Sequence, residues 1–215
     1  KGETVLVFAP HPDDETLGAG GLIYKSVQNG ARVYIIMVTD GNKHGLRNKR
    51  YDETLAALSL LGVSQDHIIF LGYPDGKITE TLDVKKQFTT LIDTYKPDYV
   101  VIPHESDTHA DHRITGTLVR EIMREKKQDT TVYSYLVHYP RFPRPTGFRP
   151  NHNLMPPARL VFGDKSWARL ILSPKEEDIK NEAILQYKTQ LVLQKFSLRE
   201  LLMSFVRENE LFAIE

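Results

Sequence analysis

Two short runs concentrate residues able to break a bond: His11-Pro12-Asp13-Asp14-Glu15 and His109-Ala110-Asp111-His112. Imidazole nitrogens and carboxylate oxygens are ligands that zinc accepts, and a catalytic zinc keeps three protein ligands with one position left for water. His11 and Asp14 are separated by two residues, one of them the rigid Pro12, so both side chains can turn to one point. One histidine of the second run would complete the set; spacing alone does not say which. Asp13 is then a spare carboxylate placed to take a proton from water, and the other histidine can stabilise a developing oxyanion. Asp111 can orient a ligand imidazole from behind. The chain has no cysteine, so His, Asp and Glu are the only ligands for such a site, and no disulfide is available. The bland reading is that Asp13, Asp14 and Glu15, like His109 and Asp111, merely cap helices and complement their dipoles. Either run alone suits that reading; the two together favour chemistry.

The elements around these runs must bring them together. Thr4 to Ala9 is a short apolar run read as a buried strand, and Glu15 to Asn29 a helix stopped by Gly30. Strands follow at Arg32–Val38, His67–Leu71, Asp98–Ile102, Thr131–Val137 and Trp167–Leu172. Helices are read at Lys49–Leu61, Asp83–Tyr95, His112–Lys127 and Lys175–Lys195. Strand–helix alternation with near-continuous apolar strands predicts a mostly parallel sheet covered on both faces. In such sheets ligands bind beyond the carboxyl ends of strands. The first run follows strand one and the second follows the loop after strand four (Pro103 to Thr108), so both leave the same edge.

Bulk properties limit the function classes. The 215 residues suit one α/β domain, and no internal repeat is visible. Lys plus Arg equals Asp plus Glu at 28 each, which argues against nucleic-acid binding by bulk charge and gives no sign of membrane contact. No signal peptide or 18-residue apolar run is found, so the expected compartment is the cytoplasm, with room for a signal or anchor ahead of Lys1. Residues 138–157 are rich in proline and arginine and are read as a loop. Its Phe142, Phe148, Arg141, Arg144 and Arg149 are the expected rim of a sugar or anionic group.

The run Ala9-Pro10-His11-Pro12-Asp13-Asp14-Glu15, followed by Pro103-His104 and His109-Ala110-Asp111-His112, closely resembles the LmbE-like (PIG-L) N-deacetylase family. Further matches are Thr39-Asp40-Gly41, Arg50, Glu53, Leu61-Gly62-Val63, Leu71-Gly72-Tyr73-Pro74-Asp75-Gly76 and Tyr187-Lys188-Thr189-Gln190. The resemblance implies a three-layer Rossmann-like sandwich. It implies removal of the acetyl group from an N-acetylglucosamine-type amino sugar or its conjugate. Carried over by motif, His11, Asp14 and His112 would hold one Zn2+ (iron, cobalt or manganese also suit such ligands), and Asp13 would be the general base. His109 would be the charged partner of the tetrahedral intermediate, and Arg50 and Asp75 would contact the sugar. Some members carry a tyrosine shortly before the second run; here Asp107 and Thr108 stand near that place. The Pro-rich stretch does not align.

Three rivals compete. Gly18-Ala19-Gly20-Gly21 with Asp40 suggests a dinucleotide site, but those glycines fall inside the first helix rather than in the strand-end turn such a site needs. A metal phosphoesterase would need ligands for two ions. An inert sugar-binding protein would not need the base. The histidines at 44, 67, 104, 138 and 152 are read as surface or satisfied core residues, and Trp167 and most tyrosines as packing. Without a site, Arg50 would be an exposed helix residue paired with Asp52 or Glu53, and Asp75 a turn residue. A homo-oligomer is left open.

Overall fold

A computed structural model describes residues 2–42, 45–127, 129–163, 166–192 and 196–215. His44 lies outside the described residues, as does the C-terminal end of the helix expected over Lys175–Lys195. The elements run β1 Thr4–Ala9, α1 Asp14–Gln28, β2 Arg32–Thr39, α2 Arg47–Leu60, β3 Ile68–Tyr73, α3 Leu82–Tyr95, β4 Tyr99–Pro103 and α4 Ala110–Lys126. They continue β5 Thr131–Tyr135, α5 Ala158–Val161, β6 Ser166–Ile171, α6 Pro174–Ile184, α7 Lys188–Val192, α8 Phe196–Met203 and β7 Asn209–Ile214.

One seven-stranded sheet has the order β3-β2-β1-β4-β5-β7-β6. The pairings from β3 through β5 are parallel, and β7 is antiparallel to both β5 and β6. Side chains alternate across each strand. Val5, Val7 and Ala9 therefore pack with Leu17, Leu58 and Ile184 from α1, α2 and α6, while Leu6 and Phe8 pack with Val84, Phe88 and Val119 from α3 and α4. Both faces are covered, which is why the central strands read as unbroken apolar runs. Fully burying each such side chain contributes about 1.5–3 kcal/mol. No helix among the described residues is long and apolar enough to cross a membrane.

One expected element needs correction. The helix expected from Lys175 stops at Ile184; a turn follows, and α7 begins at Lys188. Tyr187 between them is fully buried and donates its hydroxyl to the Glu15 carboxylate, so a tertiary contact interrupts the helical pattern. The strand β7 has no counterpart among the expected elements.

That strand has a specific task. Helix α1 breaks at Ala19, whose backbone is non-helical (φ −143, ψ 15). Gly18 sits where a Cβ would lie 2.2 Å from the Tyr135 ring, and at Gly21 one would lie 2.5 Å from Leu172. The glycines thus serve close packing, as expected from the sequence. At the break, Glu210 of β7 accepts the Gly21 amide at 2.7 Å and the Leu22 amide at 2.8 Å, while Lys180 of α6 donates to the Leu17 carbonyl at 2.9 Å. Lys180 and Glu210 pair at 2.7 Å with side chains only 2% and 1% exposed. An ion pair therefore replaces the helix's own bonds. Lys180→Met leaves a buried carboxylate unpaired and is expected to lower stability by about 3–5 kcal/mol, measured by urea unfolding. A change below about 1 kcal/mol would show that the pair does not hold the break.

Candidate metal centre

Between β1 and β4 the strand order changes direction: β2 and β3 lie to one side, β5 to the other. The carboxyl end of such a switch point leaves a crevice between neighbouring loops. His11-Pro12-Asp13 turns from β1 into α1, and the residues after β4 turn into α4, with His109 at its N-cap position and Asp111 and His112 in its first turn. The second run is thus partly helical rather than wholly loop.

Three donor atoms converge there. His11 Nδ1 lies 3.2 Å from Asp14 Oδ2, His112 Nε2 lies 2.9 Å from the same oxygen, and the two nitrogens are 3.3 Å apart. Ligand atoms about 2.0–2.2 Å from a zinc ion at tetrahedral angles stand about 3.3–3.5 Å from one another. The separations of 3.2 and 3.3 Å come close to that spacing and the 2.9 Å one is shorter, so small shifts would bring the three atoms around one tetrahedral ion.

Each imidazole is backed by a carboxylate on its other nitrogen. Asp111 Oδ2 is 2.9 Å from His11 Nε2, and Asp107 Oδ2 is 3.1 Å from His112 Nδ1. Asp111 also accepts the amides of Gly76 (2.8 Å) and Ile78 (3.2 Å), tying the loop after β3 to the site. Asp107 accepts the amides of His109 (2.9 Å), Val137 (3.2 Å) and His138 (2.9 Å). Asp107 is the member that sequence reasoning missed.

Burial would lower the pKa of both imidazoles, but the neighbouring carboxylates outweigh it. His11 is lifted to about 9 by Asp111 and Asp14, and His112 to about 10 by Asp14 and Asp107. Burial likewise pushes Asp14 up, yet His112 and His11 hold it well below the usual carboxylate range. This cluster favours positive charge at its centre, and a cation there would displace the imidazole protons.

Asp13 behaves differently. Burial, only partly offset by Arg50, pushes its carboxyl up to about 8. Its backbone has φ 122, rare for a residue with a Cβ. Such strain costs on the order of 1–3 kcal/mol and persists only when surroundings impose it. Arg50 imposes it by donating to the Pro12 carbonyl at 2.5 Å and to Asp13 Oδ2 at 3.4 Å. Asp13 makes no side-chain cap to α1, and His109 none to α4, so the capping reading fails for both. Arg50 is buried rather than exposed, and Asp75 Oδ1 lies 3.5 Å from His11 Nε2.

These groups line one cavity of about 170 Å3 with His11, Asp13, Arg50, Asp75, His109 and His138 among its walls. Leu198, Leu201, Leu202 and Phe205, in α8 and the turn after it, form an apolar side. The expected rim is corrected. Phe142 is buried against Phe205, Phe148 lies in a separate cleft, and Arg141, Arg144 and Arg149 do not line the cavity. Residues 144–154 are instead drawn onto the turn before β7, where buried Arg207 donates to the Arg149 carbonyl at 2.9 Å and Ser204 accepts the Gly147 amide at 2.6 Å. His138 is corrected too: it belongs to the site, at the carboxyl edge of β5, the same rule that located the other two runs. His104 stacks on Trp167 and His67 lies against Tyr34, both as packing residues. Asp40 is engaged by Arg47 and by the Asn42 and Asp75 amides, which removes the dinucleotide reading's ribose acceptor.

The profile of the PIG-L family, described as GlcNAc-PI de-N-acetylase, matches residues 6–123, more than half of the chain. The chain belongs to the PIG-L family. This PIG-L member is 32% identical over 126 residues to the diacetylchitobiose deacetylase of Thermococcus kodakarensis, covering 53% of this chain and 46% of that one. The chain spans about half the length of the curated relatives it matches. In fold it is similar to the N,N'-diacetylchitobiose deacetylase of Pyrococcus horikoshii in complex with an inhibitor (TM-score 0.75, 22% identity, 99% of this chain and 84% of that one). It is similar also to a zinc-inhibited form of teicoplanin deacetylase (TM-score 0.71, 18% identity, 98% and 97% covered).

The carboxylates behind the imidazoles generate a prediction. Asp107→Asn and Asp111→Asn are each expected to weaken divalent-metal affinity about 10- to 100-fold, read by competition with a chromophoric chelator. Unaltered affinity in both variants would show that the ion does not bind between His11 and His112.

Proposed function

We propose that this chain is a metal-dependent hydrolase that removes the N-acetyl group from an N-acetylglucosamine-type amino sugar or its conjugate. The observation that carries the reading is three donor atoms within 2.9–3.3 Å of one another beside a buried, strained carboxylate that opens onto the same cavity. The family assignment and the deacetylases among its relatives support the amide as the bond cleaved.

His11, Asp14 and His112 would hold one zinc ion, which would acidify water and polarise the acyl carbonyl. Asp13 takes the proton of the attacking water and returns it to the departing amine, which leaves as the free amino group. Arg50 keeps Asp13 aimed into the cavity through its bond to the Pro12 carbonyl. His109 lines the cavity beside Asp13, placed to meet the oxyanion. Arg50 and Asp75 border the same space and suit the hydroxyls of the sugar. The three other His/Asp groupings among the described residues, His11 with His109 and His112, Asp14 with His112 and His138, and His11 with Asp75 and Asp111, each reuse at least one of His11, Asp14 and His112. None of them makes a separate second ion site of the kind a phosphoesterase needs.

Protein stripped by a chelator is expected to release no acetate from N-acetylglucosamine conjugates, and one equivalent of zinc per chain is expected to restore release. Asp13→Asn is expected to lower kcat about 10²–10⁴-fold with metal content unchanged. Elemental analysis with an amine-release assay checks both. Two ions per chain with phosphate release from sugar phosphates would favour the phosphoesterase, and full activity of Asp13→Asn would remove the base.

A further inference from the structure

The site holds one imidazole more than the proposed reaction has used. Besides His11, His109 and His112, the ring of His138 packs edge-on against His112 with centroids 4.7 Å apart and stands 5.4 Å from His109. One of its nitrogens lies within 4.8 Å of ligand atoms of both Asp14 and His112, and the ring lines the cavity beside Asp13 and His109.

Its position is built rather than incidental. The His138 amide donates to Asp107 Oδ2 at 2.9 Å, and its carbonyl accepts from the Thr108 amide at 2.7 Å and the Thr108 hydroxyl at 2.9 Å. Asp107 also stands behind His112 and accepts the His109 amide, so one buried carboxylate sets three histidines relative to one another. The His138 backbone and the amide before it are thus fastened to the loop after β4, while its ring has no hydrogen-bond partner among the described residues. A half-buried imidazole held by its main chain, with an unengaged ring facing a cavity, is arranged to meet a ligand.

We infer that His138 is a further substrate-contacting residue, donating its ring N–H to the carbonyl oxygen of the acyl group, with Asp107 as the residue that positions it. The inference rests on the deacetylase reading for the identity of that oxygen. An oxygen that gains negative charge as water adds to the carbonyl is stabilised by each donor aimed at it, and His138 adds one beside His109. Because His138 stands outside the set of His11, Asp14 and His112, its removal leaves the three ligand atoms in place.

The test reads two quantities on zinc-loaded protein: affinity for acetate, whose carboxylate oxygens mimic the acyl carbonyl, by calorimetry, and kcat on an N-acetylglucosamine conjugate. His138→Ala is expected to weaken acetate about tenfold, the loss of one hydrogen bond to a charged acceptor. It is expected to lower kcat by about 10²-fold, with one ion still bound per chain. His138→Asn keeps an N–H and is expected to recover part of both. Asp107→Asn is expected to weaken acetate and metal together, whereas His138→Ala weakens acetate alone. Should His138→Ala not fold, His138→Phe removes the donor while keeping a ring. Unchanged acetate affinity and kcat without the donor overturn the inference, and so does loss of the ion, which would make His138 a ligand. Acetate weakened by His138→Ala, with a native protein that hydrolyses no N-acetyl amino sugar, sinks the deacetylase reading and leaves the contact standing. Hydrolysis that is indifferent to residue 138 does the reverse.

Discussion

Everything at the site depends on β1 and β4 being neighbours. They are almost a hundred residues apart in the chain, and they pair in parallel with Val5 opposite Tyr99 and Val7 opposite Val101. Parallel pairing sends both strands out of the sheet at the same edge, so the loops that follow must share one crevice. Had β4 paired antiparallel, its following loop would have left at the other edge. The convergence of His11 with His112 is thus a consequence of sheet topology, and the side chains need only short adjustments to meet at Asp14.

The convergence is electrostatically uneasy for the chain alone. Asp14, Asp107 and Asp111 crowd around two imidazoles with little solvent, and Asp13 and Glu15 add two more buried acids. Burial raises the pKa of both Asp13 and Glu15, a sign that the surroundings cannot easily bear further negative charge. Glu15 is relieved by the hydroxyls of Tyr187 and Thr16, and Asp13 by Arg50. What remains is an excess of acceptors around His11 and His112, which is the electrostatic condition for holding a cation. Stability lost to this crowding must come from elsewhere, and the two core layers and the Lys180–Glu210 pair lie on the helices and strands that hold the crevice walls.

The central fold was legible because its strands are buried on both faces and read as unbroken apolar runs. The motifs were legible because His-Pro-Asp-Asp is dense in ligating atoms and sits at a strand end. Three things were not legible, each for a physical reason. The strand β7 joins the sheet through long-range antiparallel pairing that nothing local specifies, and its Glu210 answers a helix break whose partners lie far away in sequence. The break after Ile184 comes from Tyr187 reaching Glu15, a contact that a helical pattern cannot reveal. The role of Asp107 depends on its carboxylate accepting amides from 109, 137 and 138, a matter of loop geometry. His138 is the instructive case. It follows β5, the neighbour of β4, so the rule that singled out the first two runs applied to it as well. Its place inside a proline-rich segment drew it into the loop reading instead.

The fate of that segment clarifies how the site is bounded. Prolines rule out regular structure, yet they do not decide where a loop goes. Here the decision is made by Arg207, fully buried, whose guanidinium takes the carbonyls of Arg149 and Pro145, and by Asn209, which exchanges hydrogen bonds with the backbone of Leu154. Burial pushes the Arg207 pKa down to about 10, still leaving it charged at neutral pH, so its donors remain available. A cation buried under a loop in this way ties two of its carbonyls to the core. The loop's arginines are thereby directed away from the cavity, and the wall they were expected to form is taken by leucines and a phenylalanine in and just after α8. The cavity consequently has a charged floor at the strand ends and an apolar side facing it, a division that follows from which side chain captured the loop and not from the loop's own composition.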